Sequence, residues 1–296
     1  MSDRIQRFLL AEATAAEDAP HPVRGAIVQL EAVWGAVLER RTYPVPVRNL
    51  LGETTAAAAL LATSIKFKGS LILQMQGRGP VDLLVVECNS DDTLRATAKW
   101  SGDPWPGPLK ALLGDGRFAI TIAPEKGENY QGIVTLEGDT VAQALEHFMA
   151  HSEQVRTHLW LASDGRRAAG LMLQMLPEAT DGDAAAYWEH ATTLAATIRP
   201  DELLDLPPDS VLRRLFHGET VRVFDSAPLQ FRCSCSEQRV VAMLRMMGPA
   251  EVASIIETEG RVEVSCEFCG QQYRYDAAAA AALFPSGNAG TSATLH

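Results

Sequence analysis

Residues 70–100 read SLILQMQGRGPVDLLVVECNSDDTLRATAKW, and this stretch decides the fold class. Three short apolar runs, SLILQMQ (70–76), VDLLVVEC (81–88) and LRATAKW (94–100), are separated by Gly77-Arg78-Gly79-Pro80 and by Asn89-Ser90-Asp91-Asp92. Runs of this length bounded by turn residues read as strands. Most of the gaps are far shorter than the dozen or more residues a parallel crossover requires, so the sheet is mainly antiparallel. FAITIA (118–123) and GIVTL (132–136) continue the same texture beyond a Gly/Pro-rich stretch around Trp105.

Outward from this sheet the period changes. Val47–Ile65 reads as a helix so rich in Ala and Leu that it is buried on most sides, and Ile27–Leu38 reads as another. Tyr43-Pro44-Val45-Pro46 forces an extended break between them. On the other side, Thr140 and Gln143 form a capping-box pattern ahead of Val141, Ala144, Leu145, Phe148 and Met149, whose spacing predicts one amphipathic helix. HLWLA (158–162) and GLMLQML (170–176) add two strands. Helices beside a mainly antiparallel sheet make the fold class α+β.

At Pro177 the pattern breaks, and EATDGDAAA is a boundary loop. Residues 187–199, 201–205 and 209–217 read as short helices split by Pro200 and by Pro207-Pro208, a helical linker with little core of its own. From Leu229 the chain reads as a small module: a C-x-C element, two short helices divided by Gly248-Pro249, a strand at 261–264, a C-x-x-C knuckle, a strand at 272–275, and an Ala-rich helix capped by Asp276. The expected organisation is a core domain over 1–180, a metastable linker over 181–228, a four-cysteine module over 229–285 and a disordered tail over 286–296.

A chain of 296 residues, 47% hydrophobic and 21% charged, is long enough for about two domains and excludes wholesale disorder. The formal net charge of -11 repels phosphate backbones and anionic lipid, which argues against nucleic-acid or membrane-surface binding as the main activity. The amino terminus carries only the short apolar run Phe8–Ala11, not the stretch of a secretory signal, and Leu50–Ile65 is too short and polar to span a bilayer. Five cysteines, four of them gathered near one end, do not form a secreted disulfide framework, so a reducing cytoplasm is expected.

Those four cysteines carry the chemistry. Cys233 and Cys235 form C-x-C, and after thirty residues Cys266 and Cys269 form C-x-x-C. Four thiolates satisfy a tetrahedral zinc ion, and a small module with a thin core gains most from such a crosslink. Gly270, directly after Cys269, supports this reading, because a tight metal-binding turn often needs a residue that tolerates φ > 0. Each pair is also close enough in sequence to close as a small-loop disulfide once the metal leaves, so the site reads either as a lock or as a sensor of oxidants.

Here a resemblance enters. The segments RCSCS (232–236), CEFCGQQYRYD (266–276), LFHGETVRVFD (215–225), KFKGSLILQMQGRGPV (66–81), YQGIV (130–134) and LMLQMLPE (171–178) together resemble the heat shock protein 33 family, the 33 kDa chaperonins. The resemblance implies an α+β core and a cytoplasmic, ATP-independent holdase, silent while reduced and bound to one Zn2+ per chain. It further implies that oxidation with unfolding stress forms two disulfides, Cys233 with Cys235 and Cys266 with Cys269, releases zinc, unfolds module and linker, and exposes surface for unfolding clients. The oxidised form is expected to dimerise. Leu203, Leu204, Leu212 and Leu215 of the linker are candidates for client contact.

Other signals are weaker. Cys88, at the end of a strand, reads as a buried, inert thiol. His147 and His151 are spaced i, i+4 but lack the HExxH glutamate and a third ligand. Ser64 and Asp164 have no nucleophile-elbow context, and Gly77-x-Gly79 lacks the third glycine and helix of a dinucleotide loop. No enzyme motif emerges. A nucleic-acid-binding zinc ribbon is opposed by the acidic charge, and a thiol-disulfide oxidoreductase by the absence of a βαβ pattern around Cys266.

Overall fold

The computed structural model describes residues 3–13, 21–64, 68–176 and 182–284, which divide into two compact units between Arg232 and Cys233. The larger unit starts with a strand that the polar-looking terminus concealed. Arg4–Glu12 (β1) pairs antiparallel with Val23–Leu30 (β2), Ile5 opposite Val28 and Phe8 opposite Gly25. The helix expected over Ile27–Leu38 is therefore corrected: the chain is extended through Leu30, and Ala32–Arg40 (α1) follows. Tertiary pairing outweighs helical periodicity here, because β2 lies between two strands and its Val23, Ile27 and Val28 are buried on alternate faces.

The start of α1 is capped from a distance. The buried Asp3 carboxylate accepts hydrogen bonds from the backbone N–H of Glu31, Ala32 and Val33 at 2.9, 3.0 and 2.6 Å. Asp3→Ala leaves three donors without this partner, and we expect it to cost about 1–2 kcal/mol. Thermal unfolding of the variant checks this; a melting temperature equal to that of the parent would refute the cap.

Val45–Ala62 (α2) begins at Pro44-Val45-Pro46, with proline in the first turn where its missing N–H is harmless. Leu51 and Ala56–Leu61 along it are almost fully buried. The helix is rich in small residues because two sheets close on it: a Cβ on Gly52 would lie 2.0 Å from Ser163 Oγ. One sheet contains the stretch that decides the fold. Gly69–Gln76 (β3), Val81–Asn89 (β4) and Thr93–Trp100 (β5) pair antiparallel with Leu71 opposite Cys88 and Cys88 opposite Leu94. After the short helix Leu109–Leu113 (α3), Arg117–Pro124 (β6) and Tyr130–Thr135 (β7) extend that sheet on the β3 side.

Val141–His151 (α4) has the expected cap. Thr140 Oγ1 accepts from Gln143 N at 3.2 Å, while Gln143 Oε1 accepts from Asp139 N at 2.7 Å, one residue upstream of the reciprocal bond a capping box makes. Thr157–Ser163 (β8) and Ala168–Met175 (β9) then join the first sheet, where β9 lies beside β2. Of the boundary loop EATDGDAAA, residues 178–181 lie outside the described residues, as does the whole tail 286–296.

The chain then covers the other face of that sheet. Gly182–Ala195 (α5), Pro200–Asp205 (α6) and Pro208–Leu215 (α7) bury Trp188, Leu203, Leu212, Leu215 and Phe216 against Phe8, Leu10, Ile27 and Leu171. Glu219–Val223 (β10), a strand not read from the sequence, pairs with β1, and Ala227–Pro228 (β11) pairs with it too. Gln230–Phe231 (β12) pairs with β5 in the one parallel pairing among the described strands. All other pairings are antiparallel, so the fold is α+β with antiparallel sheets, as expected.

His158 on β8 stacks on Trp188 of α5, ring centroids 5.6 Å apart and planes 17° apart, with Nδ1 3.4 Å from Glu146. The hydrogen bond to Glu146 raises its pKa, the Glu146 and Glu189 charges add to this, and partial burial opposes it. Arg156, Glu137 and His147 line the same cleft. A raised folded-state pKa means that the stabilisation is full below the unfolded value of about 6.5 and is lost as pH rises through the folded value. His158→Gln should therefore lower the melting temperature most below about pH 6, and by less as pH rises through the folded-state value. A pH-independent difference would refute the assignment.

Candidate metal centre

The smaller unit has a thin core. Among the described residues, Glu237–Met247 (α8), Pro249–Glu259 (α9), Val262–Ser265 (β13), Gln272–Tyr275 (β14) and Ala277–Ala282 (α10) bury only Val240, Leu244, Val252, Val262, Tyr275 and Ala280. Below about 70–80 residues such a core needs a covalent or metal staple. Local sequence fixes the elements: Ser236 Oγ caps α8 by accepting from Arg239 N, Gly248 and Pro249 divide the two helices, and Asp276 caps α10. β13 and β14 pair antiparallel with Val262 opposite Tyr275 and Ser265 opposite Gln272.

The loop of that hairpin holds the C-x-x-C pair. Gly270 N donates to Cys266 O at 2.8 Å and Cys266 N donates to Gln271 O at 2.9 Å, with Gly270 at φ +71°, the left-handed turn anticipated for that residue. Cys233 and Cys235 lie outside any helix or strand in the short segment between β12 and α8. Cys233 Sγ is 3.6 Å from Cys266 Sγ, Cys235 Sγ is 3.4 Å from Cys269 Sγ, and all four sulfurs lie within 4.8 Å of one another. Ligands about 2.3 Å from a tetrahedral zinc stand about 3.8 Å apart, whereas a disulfide needs about 2.05 Å. The spacing is compatible with a metal-ligand set and too long for a disulfide.

The thiols of Cys233, Cys266 and Cys269 titrate unequally. Burial and the neighbouring sulfurs push Cys269 up to about 12, and burial raises Cys266. Burial pushes Cys233 the same way, but hydrogen bonds from the Cys235 backbone and the other thiols outweigh it and bring Cys233 down to about 7. Four adjacent thiolates repel, and a soft divalent ion removes that repulsion. Tyr273, absent from the sequence-derived candidates, donates its hydroxyl hydrogen to Cys235 Sγ at 3.3 Å. The available signal was the alternation in QYRY, which puts Tyr273 and Tyr275 on one face of β14.

The remaining candidates take structural places. Cys88 is 3% exposed on β4, and burial, with Asp92, Asp91 and Glu87 nearby, pushes its thiol up to about 12. His147 and His151 stack at 3.9 Å, and among the described residues only the four clustered cysteines form a group able to hold a metal. Ser64 Oγ donates to Gln174 Oε1, and Asp164 Oδ1 accepts from Arg166 N and Arg167 N in a turn. A Cβ on Gly77 would meet Leu113 O at 2.1 Å, so this glycine serves packing against the end of α3. No described helix is long and apolar enough to cross a membrane.

The family model described as "Hsp33 protein" matches residues 3–276. The chain belongs to the Hsp33 family. The 33 kDa chaperonin of Chromobacterium violaceum is 48% identical over 285 residues, covering 95% of this chain and 94% of that protein. That of Pseudomonas paraeruginosa is 44% identical over 302 residues, covering 100% and 99%. The crystal structure of the Thermotoga maritima 33 kDa chaperonin, an Hsp33 homologue, matches with a TM-score of 0.78 over 94% of this chain and 97% of its own, at 20% identity, and attests to the fold. The resemblance read from the cysteine and strand motifs is thereby borne out, and Hsp33 membership makes this a chaperone-family protein whose curated relatives are named for chaperonins and not for enzymes.

Proposed function

We propose that this chain is a redox-regulated, ATP-independent holdase of the cytoplasm, silent while Cys233, Cys235, Cys266 and Cys269 are reduced and hold one Zn2+. The supporting observation is the convergence of four sulfurs from two segments thirty residues apart around a thin core. Zinc bound there would supply a crosslink between the two segments and much of the module's folding free energy, of order 10 kcal/mol or more in small zinc peptides.

Oxidation changes the topology of that crosslink. Each pair of thiols gives two electrons and two protons to an oxidant such as peroxide, which is reduced to water, as one S–S bond forms. Bonds Cys233–Cys235 and Cys266–Cys269 close within their own segments, so nothing ties one segment to the other. Loops this small add little loop-closure stabilisation, and the module loses its staple. Unfolding then spreads along the chain into 181–228, a metastable linker on this reading, and uncovers both its leucines (Leu203, Leu204, Leu212, Leu215) and the sheet face under them for unfolding client proteins. The family resemblance adds a homodimer as the active form.

The test measures zinc, thiols and light scattering of a heat-unfolding client in one sample set, reduced and after peroxide at elevated temperature, with and without ATP. Expected are one zinc per chain and no protection before oxidation, then zinc loss, four fewer thiols and ATP-independent protection after it. Protection by the reduced zinc form, or a requirement for ATP hydrolysis, would refute the proposal. Peptide mapping that found Cys233 joined to Cys266 would contradict the loss of the staple.

A further inference from the structure

The chain has eight methionines, and Met1 lies outside the described residues. In the larger unit Met75, Met172 and Met149 are 0%, 1% and 9% exposed, and Met175 is half-buried. In the smaller unit all three are exposed, Met243 at 37%, Met246 at 83% and Met247 at 42%. They stand at i, i+3 and i+4 on α8, which makes them neighbours on its surface. The core of the module takes Val240 and Leu244 from the stripe beside them, and none of the three methionines belongs to that core. Solvent-accessible thioethers are thus concentrated on one helix of the cysteine module.

We propose that Met243, Met246 and Met247 form a second oxidation site, a thioether cluster that hypohalous acids convert to sulfoxides independently of the four thiols. In each step the sulfur takes one oxygen from hypochlorous acid, the oxygen–chlorine bond breaks, and chloride and a proton leave. The sulfur is oxidised by two electrons and the chlorine is reduced by two. Because the side chains lie outside the core, the sulfoxides make this face of α8 polar without emptying a packed position. The cluster differs from the thiols in reversal: disulfides return to thiols with dithiothreitol, whereas sulfoxides need the two epimer-specific methionine sulfoxide reductases. The three thioethers also consume oxidant that would otherwise reach the cysteines. This inference rests on exposure and thioether chemistry and stands without the holdase reading.

The test treats the reduced, zinc-loaded full chain with a few equivalents of hypochlorite, quenches with free methionine, reduces with dithiothreitol and maps tryptic peptides by mass. Cleavage at Arg239, Arg245 and Arg261 separates Val240–Arg245, with one methionine, from Met246–Arg261, with two. The expected result is a gain of about 48 Da, three oxygens, that survives dithiothreitol, lies in these two peptides and exceeds oxidation at Met75 and Met172 at least about tenfold. Treatment with the reductase pair should remove it from the folded protein. The variant M243L/M246L/M247L should lose the gain, keep its helical circular dichroism, and reach full thiol oxidation with about three fewer equivalents of hypochlorite. Equal oxidation of Met75 and Met172 in folded protein, or unmodified α8 methionines at a dose that consumes the thiols, would overturn the site.

Discussion

Cys269→Ser unfolds the terminal module even in excess reductant, while Cys88→Ser leaves zinc content and oxidative activation close to those of the parent. This is the outcome we expect from the two environments. Cys269 Sγ stands 3.4 Å from Cys235 Sγ in a cluster that closes only with four sulfurs, and six buried side chains, one of them an alanine, do not hold the module without a staple. Losing one ligand removes a large share of a binding free energy of about 10–16 kcal/mol, and in a metal-dependent module that is folding free energy. Cys88 is sealed between β3 and β5 in the larger unit, where its raised pKa keeps it protonated and slow to react. Zinc stoichiometry, helical circular dichroism and client light scattering decide the matter, each with and without peroxide. Full zinc and normal switching in Cys269→Ser, or lost activation in Cys88→Ser, would defeat this account of the cysteines. Partial client protection by reduced Cys269→Ser is expected, because losing the metal would reproduce the first consequence proposed above for oxidation.

What the sequence discloses is what short-range chemistry decides. Turn residues and gap lengths over 70–100 are enough to require β3, β4 and β5 and their antiparallel order, since no alternative connection fits in four residues. The C-x-C and C-x-x-C spacings likewise predict four converging thiols, and Gly270 takes the positive φ its place in the knuckle demands. What stays hidden depends on partners remote in sequence. β1 looks like a polar terminus until β2 on one side and β10, some 210 residues on, cover its two edges. β2 imitates a helix because β-branched residues buried on both faces lose the strict alternation of a half-exposed strand. The cap on α1 comes from Asp3, 28 residues before Glu31. The helices over 182–215 show amphipathic faces in the sequence, but their partner sheet is assembled from β1, β2 and β9, which no local pattern connects to them.

That covered sheet face gives the second large effect. Phe216 ends α7 with 1% exposure, its ring centroid 6.0 Å from that of Phe8 on β1, and it is the largest side chain that α7 and its end place on the sheet. Phe216→Ala opens a cavity under the end of α7, at a cost of about 3–5 kcal/mol. Because Leu212 and Leu215 belong to the same buried cluster as Phe8 and Leu10, the loss is concentrated where the helices meet the sheet. If the uncovered face is what holds clients, the reduced, zinc-loaded variant should suppress client aggregation at elevated temperature without any oxidant, with one zinc per chain and all thiols intact. Amide hydrogen exchange should quicken in α7 and β10 and stay slow in α2. Phe118→Ala is the matched control, since Phe118 is as deeply buried, packs edge-on against Phe148 and destabilises the other sheet by a similar amount without loosening α7. Protection by Phe216→Ala and not by Phe118→Ala assigns client binding to this face. Equal protection by both would show that general instability, and not uncovering of this face, captures the client, and an inactive Phe216→Ala with fast exchange in α7 would place the client surface elsewhere.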